Sequence, residues 1–118
     1  IRFHVYFTRW EQIHFKIYER ADIRNVALIG HGHSGKTSLA AALLYTAGAT
    51  NRLTRVDEGN TITDFDDDEI QRKITISSAV ATAEWNRKKI NVLDTPGFNI
   101  FINDTKASLV AADSALVV

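Results

Sequence analysis

The feature that most limits what this chain can fold into is the run Gly30-His31-Gly32-His33-Ser34-Gly35-Lys36-Thr37, which fits the phosphate-binding pattern G-x-x-x-x-G-K-[ST]. Glycines admit backbone conformations that a side chain forbids, so successive N–H groups of such a loop can turn inward on a polyphosphate. Lys36 adds a point positive charge for the outer phosphates, and the Thr37 hydroxyl suits Mg²⁺. The helix that starts here, with Ser38 in its first turn, contributes the partial positive charge of its N-terminus.

Both flanks agree with this reading. Asn25-Val-Ala-Leu-Ile29 is a short apolar run of the kind a buried parallel strand shows. Ser38-Leu-Ala-Ala-Ala-Leu-Leu-Tyr45 is built from strong helix formers and stops at Gly48, a C-cap residue. Strand, glycine loop and helix follow in the order of a P-loop NTPase. The fold expected is therefore α/β, a three-layer P-loop arrangement, truncated, with a mixed sheet that includes one antiparallel hairpin.

The 118 residues allow one domain at most, and 14 basic against 14 acidic residues give no sign of a nucleic-acid or membrane-surface partner. No direct DNA binding is expected. No apolar run approaches the roughly 18 residues of a membrane span, so no membrane partner is expected either. The absence of cysteine excludes a disulfide framework and a Cys-based metal site, and fits a cytoplasmic protein. The chain lacks methionine and stops inside the apolar run Ala115-Leu-Val-Val118, which reads as part of a longer protein.

Residues 1–20 are rich in aromatics, with Phe3, Tyr6, Phe7, Trp10, Phe15 and Tyr18. Their spacing fits both a helical stripe and a strand alternation, so they read as an extension of uncertain structure ahead of a domain at 21–118. His4 and His14 have no metal-ligand partners at useful spacing. Residues 49–73 lose apolar periodicity and read as a long loop. Its acidic stretch Asp64-Phe-Asp-Asp-Asp-Glu69 lacks the glycine and spacing of a Ca²⁺ loop and reads as a solvated face. Residues 74–85 alternate as a strand with one wet face, Asn86-Arg-Lys-Lys89 is a polar turn, and Ile90-Asn-Val-Leu93 completes a hairpin. Asp94-Thr-Pro-Gly97 then sits at a strand's C-terminal end, where open α/β sheets place ligand chemistry. The next helix is expected to put Phe101, Thr105, Leu109 and Ala112 on one face. For His31 and His33 the expectation is that the backbones matter and the side chains face outward, with a phosphate-sensing histidine as the alternative.

In P-loop switch proteins the Asp at the strand end holds Mg²⁺, usually through water, and the Gly three residues later offers its N–H to the γ-phosphate. A Thr from the first mobile loop closes over the metal. Asp94, Gly97 and Thr75 stand in those places. The motifs together resemble the translational GTPases, and among them elongation factor G. The resemblance covers Asp22 to Val118 and rests on Asp22-Ile-Arg-Asn-Val26, Gly35-Lys-Thr-Ser38, Ile74-Thr-Ile76, Asp94-Thr-Pro-Gly97 and Ala111-Ala-Asp-Ser-Ala115. The long interval between Lys36 and Thr75 suits this family better than a Ras-type GTPase.

That resemblance implies the N-terminal half of a G domain, with GTP and Mg²⁺ as ligands and the ribosome as partner. Nucleotide contacts fall to Gly30, His31, Gly32, His33, Ser34, Gly35, Lys36, Thr37, Ser38, Asp94 and Gly97; metal contacts fall to Thr37, Thr75 and, through water, Asp94. The activity implied is GTP hydrolysis in an intact protein, with residues 1–118 inactive alone. The guanine-reading Asn-Lys-x-Asp does not occur in residues 1–118, so base identity rests on the resemblance.

Four positions depart from the family pattern. Phe98 stands where a water-positioning histidine usually follows Asp-Thr-Pro-Gly; His33 replaces an Asp, Gly30 an Ala and Lys73 a Gly. Phe98 can neither donate nor accept a hydrogen bond to water, so no catalytic residue is assigned. Phe98 favours a rival reading, a nucleotide-binding switch with weak or no hydrolysis. A ribosome-protection or release-type GTPase would share the same motifs, whereas a P-loop ATPase is disfavoured by the spacing of Thr75 and Asp94 from Lys36.

Overall fold

The computed structural model describes residues 16–51, 53, 77–97 and 102–118. The extension up to residue 15, the acidic stretch at 64–69, Thr75, Phe98 and Phe101 lie outside the described residues. Of the leading segment, residues 16–19 have no regular structure and Arg20–Asp22 form one 3₁₀ turn. Two ion pairs, Lys16 with Glu84 and Lys88 with Asp22, join this segment to the hairpin that follows.

Four strands form one mixed sheet in the order β2-β3-β1-β4. β1 (Ile23–Ile29) is central, parallel to both β3 (Lys88–Asp94) and β4 (Ser114–Val117), while β2 (Ala79–Trp85) is antiparallel to β3. The apolar run at 25–29 is therefore a strand with neighbours on both sides, which is why it carries little polarity. β2 follows the expected alternation, burying Ala79, Ala81 and Ala83.

The hairpin is tighter than the sequence suggests. Only Asn86 and Arg87 turn, both at positive φ (48° and 63°), and β3 begins already at Lys88 rather than Ile90. Two consecutive positive-φ residues make the primed turn whose twist matches the strands it joins, and Asn tolerates that region without glycine.

Helix α1 (Lys36–Thr46) ends in a six-residue cap: Ala49 N–H donates to Leu44 O at 2.9 Å, Gly48 N–H to Tyr45 O at 3.0 Å, and Gly48 takes φ 71°. This is the Schellman arrangement that a glycine just past a helix permits. Leu28, Ala40 and Val92 form one buried cluster under α1, and Leu44, Ala81 and Ala83 a second. Leu28 and Leu44, 0% and 2% exposed, are each worth about 2 kcal/mol of burial. The alanines let the helix approach the sheet closely.

Helix α2 (Ile102–Ala111) buries only part of the face that carries Thr105, Leu109 and Ala112. Thr105 and Ser108 are buried, whereas Leu109 is 39% exposed and Val110 90%. Polar anchoring sets this rotation: Thr105 Oγ1 donates to Pro96 O at 2.9 Å, and Ser78 Oγ to Asp104 O at 3.3 Å. The chain leaves β1 toward β3 on one side and returns from β3 to β4 on the other side of β1. Right-handed crossovers then put α1 and α2 on opposite faces, with a crevice at the C-terminal ends of β1 and β3.

A polar chain crosses three strands. Thr82 Oγ1 donates to Asn91 Oδ1 at 2.9 Å and Asn91 Nδ2 donates to Asn25 Oδ1 at 2.7 Å, each pair being in register. Any slip by one residue would turn Asn91 to the α1 face and leave these groups unpaired, so the chain pins the register. Replacing Asn91 by Leu should destabilise the sheet by about 1–3 kcal/mol through the unpaired partners left behind. Urea unfolding followed by Trp85 fluorescence reads this, and a change below about 0.5 kcal/mol, the size of a neutral surface substitution, would contradict it.

Candidate functional site

The loop between β1 and α1 holds three residues at positive φ: Gly30 at 151°, His33 at 62° and Gly35 at 95°. At Gly30 a Cβ would lie 2.3 Å from the carbonyl oxygen of Val118, the residue after β4, so a side chain there would require that contact to shift. Gly35 caps α1 without any side-chain hydrogen bond. The first-turn N–H groups are thus not covered by the usual Ser, Thr or Asp cap, which suits an anion as their partner.

The expected loop residues lie together. Lys36 is buried, 5% exposed, and its ammonium donates to Gly30 O at 3.1 Å, His31 O at 2.7 Å and Ser34 Oγ at 3.4 Å. Burial pushes the Lys36 pKa below its ordinary value, and the nearby Asp94 carboxylate pulls it partly back. His31 and His33 have exposed side chains. The His31 ring is nonetheless engaged: Nδ1 lies 2.8 Å from Gly32 O, an acceptor only, so Nδ1 carries the proton in that contact. Ser38, in the first turn of α1, is exposed.

Across the crevice, Asp94 ends β3 in register with Leu28 of β1 and is 0% exposed. Thr37 Oγ1 donates to Asp94 Oδ2 at 2.7 Å, which joins the start of α1 to the end of β3. A hydroxyl and a carboxylate oxygen are hard donors of the kind Mg²⁺ takes, and Mg²⁺ sites commonly use one or two protein ligands with phosphate and water for the rest. Among the described residues there is no cluster of three His, Cys, Asp or Glu that would make an all-protein metal cage. Gly97 packs directly on the loop: a Cβ there would lie 2.4 Å from Lys36 Nζ and 2.6 Å from Gly32 N. Lys36, the Gly32 N–H and the Gly97 backbone thus converge from two segments. Thr75 belongs to this set by sequence but is not among the described residues.

The sequence pattern assigned no role to Thr95, which is 0% exposed and donates to Leu28 O at 2.6 Å. Nor did it single out Ser78, buried beneath α2. For Thr95 the available signal was a polar residue directly after a buried parallel strand, where a hydroxyl must find a partner. No helix of the described residues is long and apolar enough to cross a membrane.

Comparison with known proteins places this geometry in a family. Residues 21–118 match the elongation factor Tu GTP binding domain. The chain is 45% identical over 97 residues to mitochondrial ribosome-releasing factor 2 of Drosophila virilis, covering 82% of this chain and 14% of that protein. It is 42% identical over 98 residues to the protein of the same name from Candida albicans, covering 83% and 12%. A crystal structure of a protein from Thermus thermophilus superposes with a TM-score of 0.79 at 43% identity, covering 82% of this chain and 15% of that one. Bacterial selenocysteine-specific elongation factor shares the fold, with a TM-score of 0.60 at 24% identity over 80% of this chain and 14% of that one. The chain thus spans about one-seventh of the length of these relatives.

The expectation of a cytoplasmic protein is overturned by these relatives, since the ribosome-releasing factors from flies and yeasts are mitochondrial by name. Lack of cysteine fits any reducing compartment and cannot choose among them. The loop, the strand-end Asp-x-x-Gly and the family match agree: the chain belongs to the elongation factor Tu GTP-binding-domain family, as the N-terminal G-domain region of an elongation factor G-like translational GTPase.

Proposed function

We propose that this chain binds GTP with Mg²⁺ at the β1–α1 loop and couples that binding, and hydrolysis, to a step on the mitochondrial ribosome. One observation carries the reading: the Lys36 ammonium, the Gly32 N–H, the Thr37 hydroxyl and the Asp94 carboxylate converge at the C-terminal ends of β1 and β3. Relatives named as mitochondrial ribosome-releasing factors support the ribosome as the partner and the mitochondrion as the compartment. Among the rival readings, a release-type GTPase is the one they favour.

Each residue's task follows from its chemistry. Loop N–H groups from Gly30 to Ser38 and the Lys36 ammonium hold phosphate oxygens; loop acceptors already keep the ammonium at the loop, and it gives up the longest of these bonds, to Ser34 Oγ at 3.4 Å, for phosphate. Thr37 and, through water, Asp94 would hold Mg²⁺, with Thr75 as a third metal contact. Bound Mg²⁺ supplies neutralisation of charge on the phosphates. Gly97 offers its N–H to the terminal phosphate, and its contact with Gly32 and Lys36 makes the Asp94–Gly97 segment sensitive to what occupies the loop.

Position 98 bears on the rate. Phe98 follows Gly97 where the family pattern has a water-orienting histidine, so hydrolysis is slowed unless another group orients the water.

Replacing Lys36 by Ala in the full-length protein should weaken binding of a fluorescent GTP analogue by at least about 100-fold, because it removes a buried cation from its anion; unchanged affinity would contradict the site. In single-turnover assays with ribosomes, Phe98→His should raise the GTP hydrolysis rate by at least about tenfold, the low end of what a placed acid–base group contributes. Equal rates would show that position 98 does not limit hydrolysis.

A further inference from the structure

Asp94 is the last residue of β3 paired with β1, opposite Leu28. Asp94 also pairs with Ala79 of β2 on its other edge, and beyond it the backbone leaves both ladders. On the β1 side the next tie is a side chain: Thr95, itself 0% exposed, donates its hydroxyl to the carbonyl oxygen of Leu28 at 2.6 Å. One β1 residue therefore faces Asp94 in the ladder and also receives the hydroxyl of the next residue. On the other flank, Thr105 holds Pro96 O at 2.9 Å. The two residues that follow the carboxylate are thus tied, Thr95 to β1 and Pro96 to α2.

We propose that Thr95 is a positioning residue for the Mg²⁺ site, its hydroxyl fixing the Asp94 carboxylate against Thr37 by anchoring the strand end to Leu28. This rests on the nucleotide-site reading given above. The hydrogen bond of Thr95 goes to Leu28 and not to the loop donors Lys36 and Gly32, which bind phosphate whether or not a metal is present. Its removal therefore acts on the metal-dependent part of nucleotide affinity and spares the rest. A residue that served only the fold would lower both parts together.

The test uses the full-length protein and the dissociation constant of a fluorescent GDP, measured once with millimolar Mg²⁺ and once with excess EDTA. The ratio of the two is the gain due to the metal. Thr95→Val, which keeps shape and volume but has no hydroxyl, should reduce that gain by about tenfold, the effect of losing one buried hydrogen bond, with the EDTA value within about twofold of the unsubstituted protein. Thr95→Ser, which keeps the donor, should retain the gain. An undiminished gain in Thr95→Val, equal losses with and without Mg²⁺, or a Ser variant as impaired as Val would each overturn the proposal. If Thr95→Val does not fold, Thr95→Ala against Thr95→Ser carries the same comparison, and equal gains in those two overturn it. Absence of any Mg²⁺ gain in the unsubstituted protein would contradict the metal contacts of Thr37 and Asp94, and the role of Thr95 with them, whereas failure to bind the GDP under either condition would contradict the nucleotide site itself.

Discussion

The hydrogen bond from Thr37 to Asp94, 2.7 Å long and shut away from solvent, is the constraint around which the described part of this chain is arranged. A carboxylate with no exposed surface is tolerated only where polar partners are fixed around it. Fixing them requires α1 to begin, and β3 to end, at the same height beside β1. The parallel pairing of β1 with β3 sets the height of Asp94 through its register with Leu28. The short glycine loop sets the height of Thr37 by turning directly from Ile29 into α1.

The packing serves that alignment. Alanines at 40, 81 and 83 let α1 lie close on the sheet, while Leu28, Leu44 and Val92 supply most of its buried apolar bulk. The Thr82–Asn91–Asn25 chain prevents β3 from slipping against its neighbours. Helix α2 is held differently, by Thr105 donating to the carbonyl of Pro96 and by Ser78 donating to the carbonyl of Asp104. Small polar contacts are worth less than apolar burial, and α2 is the next described element after the Asp94–Gly97 segment.

Much of this was legible in the sequence because local chemistry dictates it. The glycine-rich loop, its lysine and threonine, the strand before it and the helix after it form one contiguous signal, and the structure assembles them as read. The hairpin was legible from alternation, but not its two-residue turn, because Arg87 at φ 63° is a residue that no propensity favours there. Which residues α2 buries was not legible in the sequence, because its contacts come from Pro96 and Ser78, outside the helix. Thr95 escaped for the same reason: its partner Leu28 is far away along the chain. Location was misread because compartment leaves no mark on a fold of this kind, and only the relatives carry it.

The most direct test of the central claim is a double-mutant cycle on Thr37 and Asp94 in the full-length protein, with Thr37→Ala, Asp94→Asn and the pair, read as affinity for a non-hydrolysable GTP analogue in Mg²⁺. If the two groups share one metal, either change alone should cost most of what the pair costs, leaving a coupling of about 1–3 kcal/mol. Additive losses, with coupling below about 0.5 kcal/mol, would mean that Thr37 and Asp94 act independently and that their hydrogen bond does not mark a shared metal site.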